Sequence, residues 1–254
     1  MELGLEGRTA LITGGSKGIG YASAYRLAQE GCNVHLASRT EADLEKASAE
    51  IRGRFNVEVT IHPTDLSDGD AARALIVACK DIDILVNNAG AIPGGDIAAI
   101  QEPRWREAWD LKVFGYVNTC RAAYANMKAR GKGVIVNVIG AAGERPSAGY
   151  IAGSAGNASL MAFTRGLGGR SRADNIRVVA INPGLTRTDR MITLMRTWAE
   201  RDLGDPKRWE EMLDADFPPA EPEEIAAMVA LLASDLSAST TGTVITIDGG
   251  MSSR

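Results

Sequence analysis

Thr13-Gly14-Gly15-Ser16-Lys17-Gly18-Ile19-Gly20 follows a short apolar run at residues 8–13 and opens a helical pattern at residues 19–29 that stops at Gly31. A glycine-rich turn between a strand and a helix has a specific use. Gly14 allows the tight turn, Gly18 lets the backbone approach a bound group, and Gly20 permits close packing of helix on strand. The helix then starts with free N–H groups and the positive end of its dipole, which suits a pyrophosphate.

Outward from this turn the chain alternates between two kinds of segment. Apolar runs at residues 34–38, 57–62, 82–86, 133–138, 176–181 and 243–247 read as strands. Helical patterns fall at residues 41–52, 103–130, 154–171 and 221–233, with Ser67 or Asp68 placed to cap a further helix and Pro103 in the first turn of the 103–130 pattern. The strands are apolar throughout rather than alternating, as expected for parallel strands covered on both faces. The expectation is an α/β protein with a doubly wound, Rossmann-type parallel sheet and helices on each side. No repeat or linker divides the 254 residues, which read as one domain.

Composition narrows the function classes. Hydrophobic residues make up 45% and the net charge is −4, so a sizeable core is available and no basic surface points to nucleic acid. No apolar run has membrane-spanning length. The first eight residues lack the apolar core of a signal peptide, and the expectation is a cytoplasmic protein. Cys32, Cys79 and Cys120 are odd in number and far apart, and read as reduced, buried thiols. The two histidines, His35 and His62, do not lie in metal-ligand spacing, and no metal is expected.

At the end of the second strand an NAD-binding protein places a carboxylate on the ribose 2′-hydroxyl. Here Ser38-Arg39 stands in that position, and Lys17 adds a cation beside the phosphate turn. Two cations and a hydroxyl suit a 2′-phosphate, so NADP(H) is favoured over NAD(H). The bland alternative is that Arg39 is a solvated loop residue.

Together with later motifs, the turn resembles the short-chain dehydrogenase/reductase family over essentially the whole chain. Residues 13–20 resemble its TGxxxGIG element, and Asp65-Leu66 resembles the acidic step that meets the adenine. Asn87-Asn88-Ala89-Gly90 matches NNAG. Asn182-Pro183-Gly184, with Thr186 and Thr188, resembles the segment beneath the nicotinamide, and residues 244–250 match the last strand with its Asp-Gly-Gly ending. The resemblance implies a seven-stranded parallel sheet, a nicotinamide cofactor, a homotetramer or homodimer, and hydride transfer between the nicotinamide and an alcohol or carbonyl carbon. It also implies a Tyr that moves the proton, a Lys that lowers the phenol pKa and holds the ribose, a Ser that orients the substrate oxygen, and an Asn that supports a water-linked relay.

Those four positions are changed. Residues 154–165 align without gaps on the family's active-site helix, which puts Gly153 in the Tyr position, Asn157 in the Lys position and Gly140 in the Ser position. Lys112 falls in the Asn position. A relocated set presents itself. Tyr150 lies one helical turn before Gly153 and can lean into the space it leaves; Lys112 can reach toward the missing ammonium; Ser147 is a loop hydroxyl. A second alignment places Tyr150 itself in the Tyr position, at the cost of the ungapped match. The opposing reading has Tyr150 packed on its loop, Lys112 paired with Asp110 or Glu107, and the chain a catalytically silent nucleotide binder, a sensor or partner subunit.

Residues 186–220, polar and irregular by composition, occupy the family's variable substrate lid. Met191, Ile192, Leu194, Met195, Trp198, Trp209 and Met212 suit a cover over a partly apolar small molecule, or ordinary helix packing. Arg187, Arg190 and Arg196 could meet an anion, although a solvated face is the simpler reading.

Overall fold

The computed structural model describes residues 2–254. Seven parallel strands form one sheet: β1 (Thr9–Thr13), β2 (Asn33–Ser38), β3 (Val59–Pro63), β4 (Ile84–Asn87), β5 (Gly133–Val138), β6 (Ile176–Pro183) and β7 (Val244–Ile247). Their order is β3-β2-β1-β4-β5-β6-β7. The chain winds outward from β1 to β3, returns to β4 beside β1, and winds outward again to β7. The order therefore reverses between β1 and β4, where an open parallel sheet leaves a crevice beyond its strand ends.

Helices cover both faces. They are α1 (Gly18–Gln29), α2 (Glu41–Arg54), α3 (Gly69–Ala78), α4 (Glu102–Trp109), α5 (Gly115–Arg130), α6 (Ile151–Ser171), α7 (Asp189–Leu203) and α8 (Pro222–Ala233). Because side chains alternate across a strand, neighbouring residues enter different cores. Ile12, Ile84 and Val134 pack with Leu27, Leu44 and Val229 on the face of α1, α2 and α8. Leu11, Leu85 and Ile135 pack with Leu75, Ile76 and Met127 on the opposite face. Both faces of each central strand are apolar for this reason.

Several buried polar groups are satisfied in sets. The buried Asn87 amide donates to Asn137 Oδ1 at 3.0 Å and accepts from the Thr119 hydroxyl at 2.8 Å, and Asn137 donates to Thr164 at 3.0 Å. This chain of bonds joins β4, β5, α5 and α6. Arg177, also buried, donates to the Leu232 and Ser234 carbonyls at the end of α8, at 2.7 and 2.8 Å. Asp68 caps α3 by accepting from the Asp70 and Ala71 N–H groups, as one of its two expected caps.

Two segments depart from expectation. The helix expected at 103–130 is broken into α4 and α5 by a π-turn at Asp110–Phe114, which carries Lys112. The stretch read as irregular at 186–220 contains α7, capped by the Thr188 hydroxyl on the Met191 N–H, and a 3₁₀ segment at Pro206–Met212. Its polar composition belongs to the exposed face of α7, while Met191, Met195 and Ala199 are buried at helical spacing. Among the described residues no helix is long and apolar enough to cross a membrane.

Gly168 shows how tightly α6 lies on the sheet. A Cβ built there would stand 2.4 Å from Gly242 N and 2.5 Å from the Val178 carbonyl oxygen, both backbone atoms that cannot rotate away. We expect Gly168→Ala to lose about 1–3 kcal/mol of stability through overpacking, despite alanine's better helix propensity. A urea midpoint unchanged or raised would contradict this.

Candidate active site

The crevice between the ends of β1 and β4 opens into a cleft of about 1310 Å³. Its floor begins with the glycine turn. The Thr13 hydroxyl accepts from the Asn88 and Ala89 N–H groups at 2.9 and 3.1 Å, and the Asn88 amide donates to the Thr13 and Gly14 carbonyls at 3.2 and 3.3 Å. These bonds fasten the turn after β1 to the end of β4. Gly14 and Gly18 have φ of +64° and +55°, a region that favours glycine. A Cβ at Gly20 would lie 2.1 Å from the Gly14 carbonyl oxygen, so its role in packing is direct. The first turn of α1 has no side-chain cap, which leaves its N–H groups for a ligand.

Gly14, Ser16, Lys17, Gly18 and Ile19 line the cleft with Asn88, Ala89 and Gly90, and so do Asn157, Pro183, Gly184, Thr186 and Thr188. Lys112, Gly140, Ser147 and Tyr150 line it as well. Gly184 lies so close to β7's end that a Cβ would meet Asp248 Cβ at 2.8 Å. Gly20, Ser38, Arg39, Asp65 and Leu66 are not part of the lining. Leu66 has its side chain in the core. Ser38, at the end of β2, has a buried hydroxyl with no protein partner. Arg39 is exposed and makes no ion pair among the described residues, whereas Lys17 is held by Asp43 at 2.8 Å. Burial opposes ionisation of Asp65, but bonds from the Ser67 N–H and hydroxyl, with the Arg39 charge, hold its carboxyl below the ordinary value.

At the reacting end, three glycines are each filled by a neighbour's side chain. A Cβ at Gly153 would stand 2.1 Å from Tyr150 Cε1 and Cζ, so the Tyr150 ring occupies that space. A Cβ at Gly140 would lie 2.8 Å from Asn157 Nδ2, and one at Gly90 would lie 2.4 Å from Lys112 Cδ. Tyr150 is the residue just before α6. Its N–H donates to the Ser147 carbonyl at 3.1 Å, and the Ser154 hydroxyl accepts from the Ser147 N–H at 3.1 Å. The 147–150 loop is thereby pinned to the first turn of α6. Ser147 itself is exposed at the rim.

Lys112 pairs with neither Asp110 nor Glu107. The π-turn carries its side chain inward, where Nζ donates to the Tyr116 hydroxyl and to the Val138 carbonyl, both at 2.9 Å. Burial pushes this amine down to about 7, with the Arg190 charge adding to the effect. Burial raises the Tyr150 phenol, while the Arg190 guanidinium beside it pulls the other way.

Arg190 is the residue that reading the sequence undervalued. Arg187 is exposed and paired with Glu221 at 2.8 Å, and Arg196 is exposed. Arg187 and Arg190 both line the cleft, and of the two it is Arg190 that donates to the Ile92 carbonyl and lies beside Tyr150. Of the lid's apolar residues, Met191, Leu194 and Trp198 line the cleft. Met195 is packed in the core, and Trp209 and Met212 lie away from the cleft. Only the start of α7 at Asp189, one residue before Arg190, could have marked it, through the cap at Thr188.

The family model described as short chain dehydrogenase matches residues 8–198. An uncharacterized oxidoreductase, YvrD, of Bacillus subtilis is 30% identical over 99% of this chain and 98% of its own length. The 3-oxoacyl-[acyl-carrier-protein] reductase FabG of Chlamydia muridarum is 30% identical over 97% of this chain and 98% of its own. Among solved structures, L-sorbose reductase from Gluconobacter frateurii, complexed with NADPH and L-sorbose, superposes with a TM-score of 0.91 at 30% identity, over all of both chains. NAD⁺-bound xylitol dehydrogenase superposes at 0.90 with 26% identity, covering 97% of this chain and all of that one. With a family match across most of its length and relatives spanning all of it, this chain belongs to the short-chain dehydrogenase/reductase family.

Proposed function

We propose that the protein is an NADP(H)-dependent oxidoreductase that interconverts an alcohol and a carbonyl, with Tyr150 as the proton donor. The observation that carries this is the fit of the Tyr150 ring into the volume left by Gly153, with the phenol at the cleft and Arg190 beside it. Reduction of a carbonyl builds negative charge on its oxygen, so a donor and a fixed cation are what the step requires. Tyr150 gives its proton to that oxygen, and the Arg190 charge stabilises the phenolate left behind. In the reverse direction the phenolate takes the alcohol proton. Arg190 in this reading does the work of the ammonium absent at Asn157.

When bound, the nicotinamide supplies or accepts the hydride. The residues fit such a group: the glycine turn leaves a cradle that side chains would fill, the α1 N-terminus offers N–H donors, and the buried Ser38 hydroxyl lacks a partner. Asn157, Pro183, Gly184, Thr186 and Thr188 would hold the nicotinamide end, and Asn88, Ala89 and Gly90 the middle. Ser38, with Asp65-Leu66 at the end of β3, would serve the adenosine. NADP(H) is preferred to NAD(H) because the unpaired Arg39 is free to meet a 2′-phosphate, while Lys17 is already engaged by Asp43.

Lys112 is a second titrating group at the cleft. As an amine poised near neutral pH it can exchange protons where an ordinary lysine cannot. Ser147 would orient the substrate oxygen from the rim. Met191, Leu194 and Trp198 make the substrate side partly apolar, and the unpartnered Trp198 indole N–H provides a donor to a substrate acceptor. Exposed Ile97 and Phe114, which share a groove with Trp105, favour assembly as a homodimer or homotetramer.

Three outcomes follow. On the best substrate from a carbonyl screen, Tyr150→Phe should lower kcat about 10²–10⁴-fold while NADPH binding is kept; unchanged turnover would remove Tyr150 from the chemistry. Arg39→Ala should weaken NADPH binding about 10–100-fold, the worth of one charge-assisted bond, and leave NADH binding alone; equal losses for both would defeat the 2′-phosphate assignment. For Lys112 the unfolded amine titrates at the ordinary 10.5 and the folded one at about 7, so the unfolded chain binds more protons in between. This contribution to stability is therefore lost as pH falls toward 7. Urea titrations from pH 7 to about 8.5 should show wild type gaining stability relative to Lys112→Met; a pH-independent difference would contradict a neutral Lys112.

A further inference from the structure

We infer that His35, His62 and Cys79 form a binding site for a zinc-class divalent cation, separate from the catalytic cleft. His35 lies on β2 and His62 on the edge strand β3, in a register that pairs His35 with Thr60 and Ala37 with His62. The two imidazoles therefore share one sheet face, two residues apart, with ring centroids at 5.1 Å. Cys79 caps the C-terminus of α3, which crosses the same face. Their ligand atoms all fall within 4.8 Å of one another. None of the three lines the cleft.

The distances lie close to those of a tetrahedral metal site. With metal–nitrogen bonds of about 2.0–2.1 Å and a metal–sulfur bond of about 2.3 Å, tetrahedral ligands stand about 3.6 Å apart for nitrogen and sulfur and about 3.3 Å apart for two nitrogens. Cys79 Sγ lies 3.4 Å from His62 Nε2 and 3.6 Å from His35 Nδ1. His35 Nδ1 and His62 Nε2 are 2.8 Å apart, a hydrogen bond that opens by about half an ångström around an ion. Two imidazoles and a thiolate are a borderline-soft set, suited to zinc or cobalt rather than magnesium or calcium. Burial lowers both histidines, so they stand as neutral ligands at neutral pH. The site also sits at the negative end of the α3 dipole, which favours a cation. Three protein ligands leave the fourth position to water. The separations of 27 residues between the histidines and 17 between His62 and Cys79 match no local ligand motif. The cation would tie the edge strand, its neighbour and α3 together, and binding would expel the Cys79 proton, whose thiol burial holds at about 11.

The test is cobalt titration of the chelator-treated, full-length protein. The expected result is one cobalt per chain, a thiolate-to-cobalt charge-transfer band in the near ultraviolet, displacement by one equivalent of zinc, and a higher thermal midpoint with zinc bound. Cys79→Ser should abolish the band, and both Cys79→Ser and His62→Gln should weaken binding beyond the about 10–100-fold lost with a mere supporting residue. Each variant is first matched to the metal-free wild type by circular dichroism. Absence of the band in wild type, its persistence in Cys79→Ser, or zinc affinity unchanged in a folded His62→Gln would each overturn the assignment. These readouts involve neither nicotinamide binding nor turnover.

Discussion

The clamp between Thr13 and Asn88 is the constraint on which the rest depends. One hydroxyl receives two N–H groups from the end of β4, and one amide holds two carbonyls of the glycine turn. Strand order reverses between these same two strands, which pair directly through Ala10 with Ile84 and Ile12 with Val86, so the clamp fixes the loops just beyond their paired ends. Those fixed loops form the floor of the cleft beside the uncapped first turn of α1. Neighbouring polar ties extend the same rigidity. Asn87 carries it through Asn137 to α6, the helix that presents Asn157 and is preceded by Tyr150. A site meant to place a phenol within hydrogen-bond reach of a substrate needs such support.

The glycines at this end of the cleft do not leave vacant space. Tyr150, Asn157 and Lys112 fill the volumes above Gly153, Gly140 and Gly90. Each glycine and its neighbour form a matched pair, so a side chain added at the glycine alone would collide with the residue beside it. This coupling keeps that end of the cleft packed and polar although Gly140 and Gly153 carry no side chains. Lys112 is buried, close to neutral and tied to Val138, and Arg190 on α7 is the charge that reaches the phenol.

Much of this was legible from the residues. The glycine turn, the Asn-Asn-Ala-Gly stretch and the Asn-Pro-Gly segment act through backbone geometry, which local sequence fixes, and they located the sheet and its cleft. The closeness of Tyr150 to Gly153 was expected from a spacing of three residues, although Tyr150 stands as the non-helical residue before α6 and its loop, tied to Ser154, sets the lean. Three features were not. The π-turn at Asp110–Phe114 shifts Lys112 inward, and no local residue pattern announces it. Arg190 was indistinguishable from Arg187 and Arg196 until α7 set its direction. His35, His62 and Cys79 meet through strand register and a helix end, a juxtaposition created only by tertiary packing.

The most direct test of the central claim is a crystal structure of the protein with NADP⁺ bound. The account predicts Tyr150 Oη beside the nicotinamide C4, within hydrogen-bond reach of a position open to a substrate oxygen, with the Arg190 guanidinium still next to the phenol. A structure in which that space is lined only by Gly140, Gly153 and Asn157, with the Tyr150 hydroxyl turned away, would contradict it and leave a nucleotide-binding protein without a proton donor.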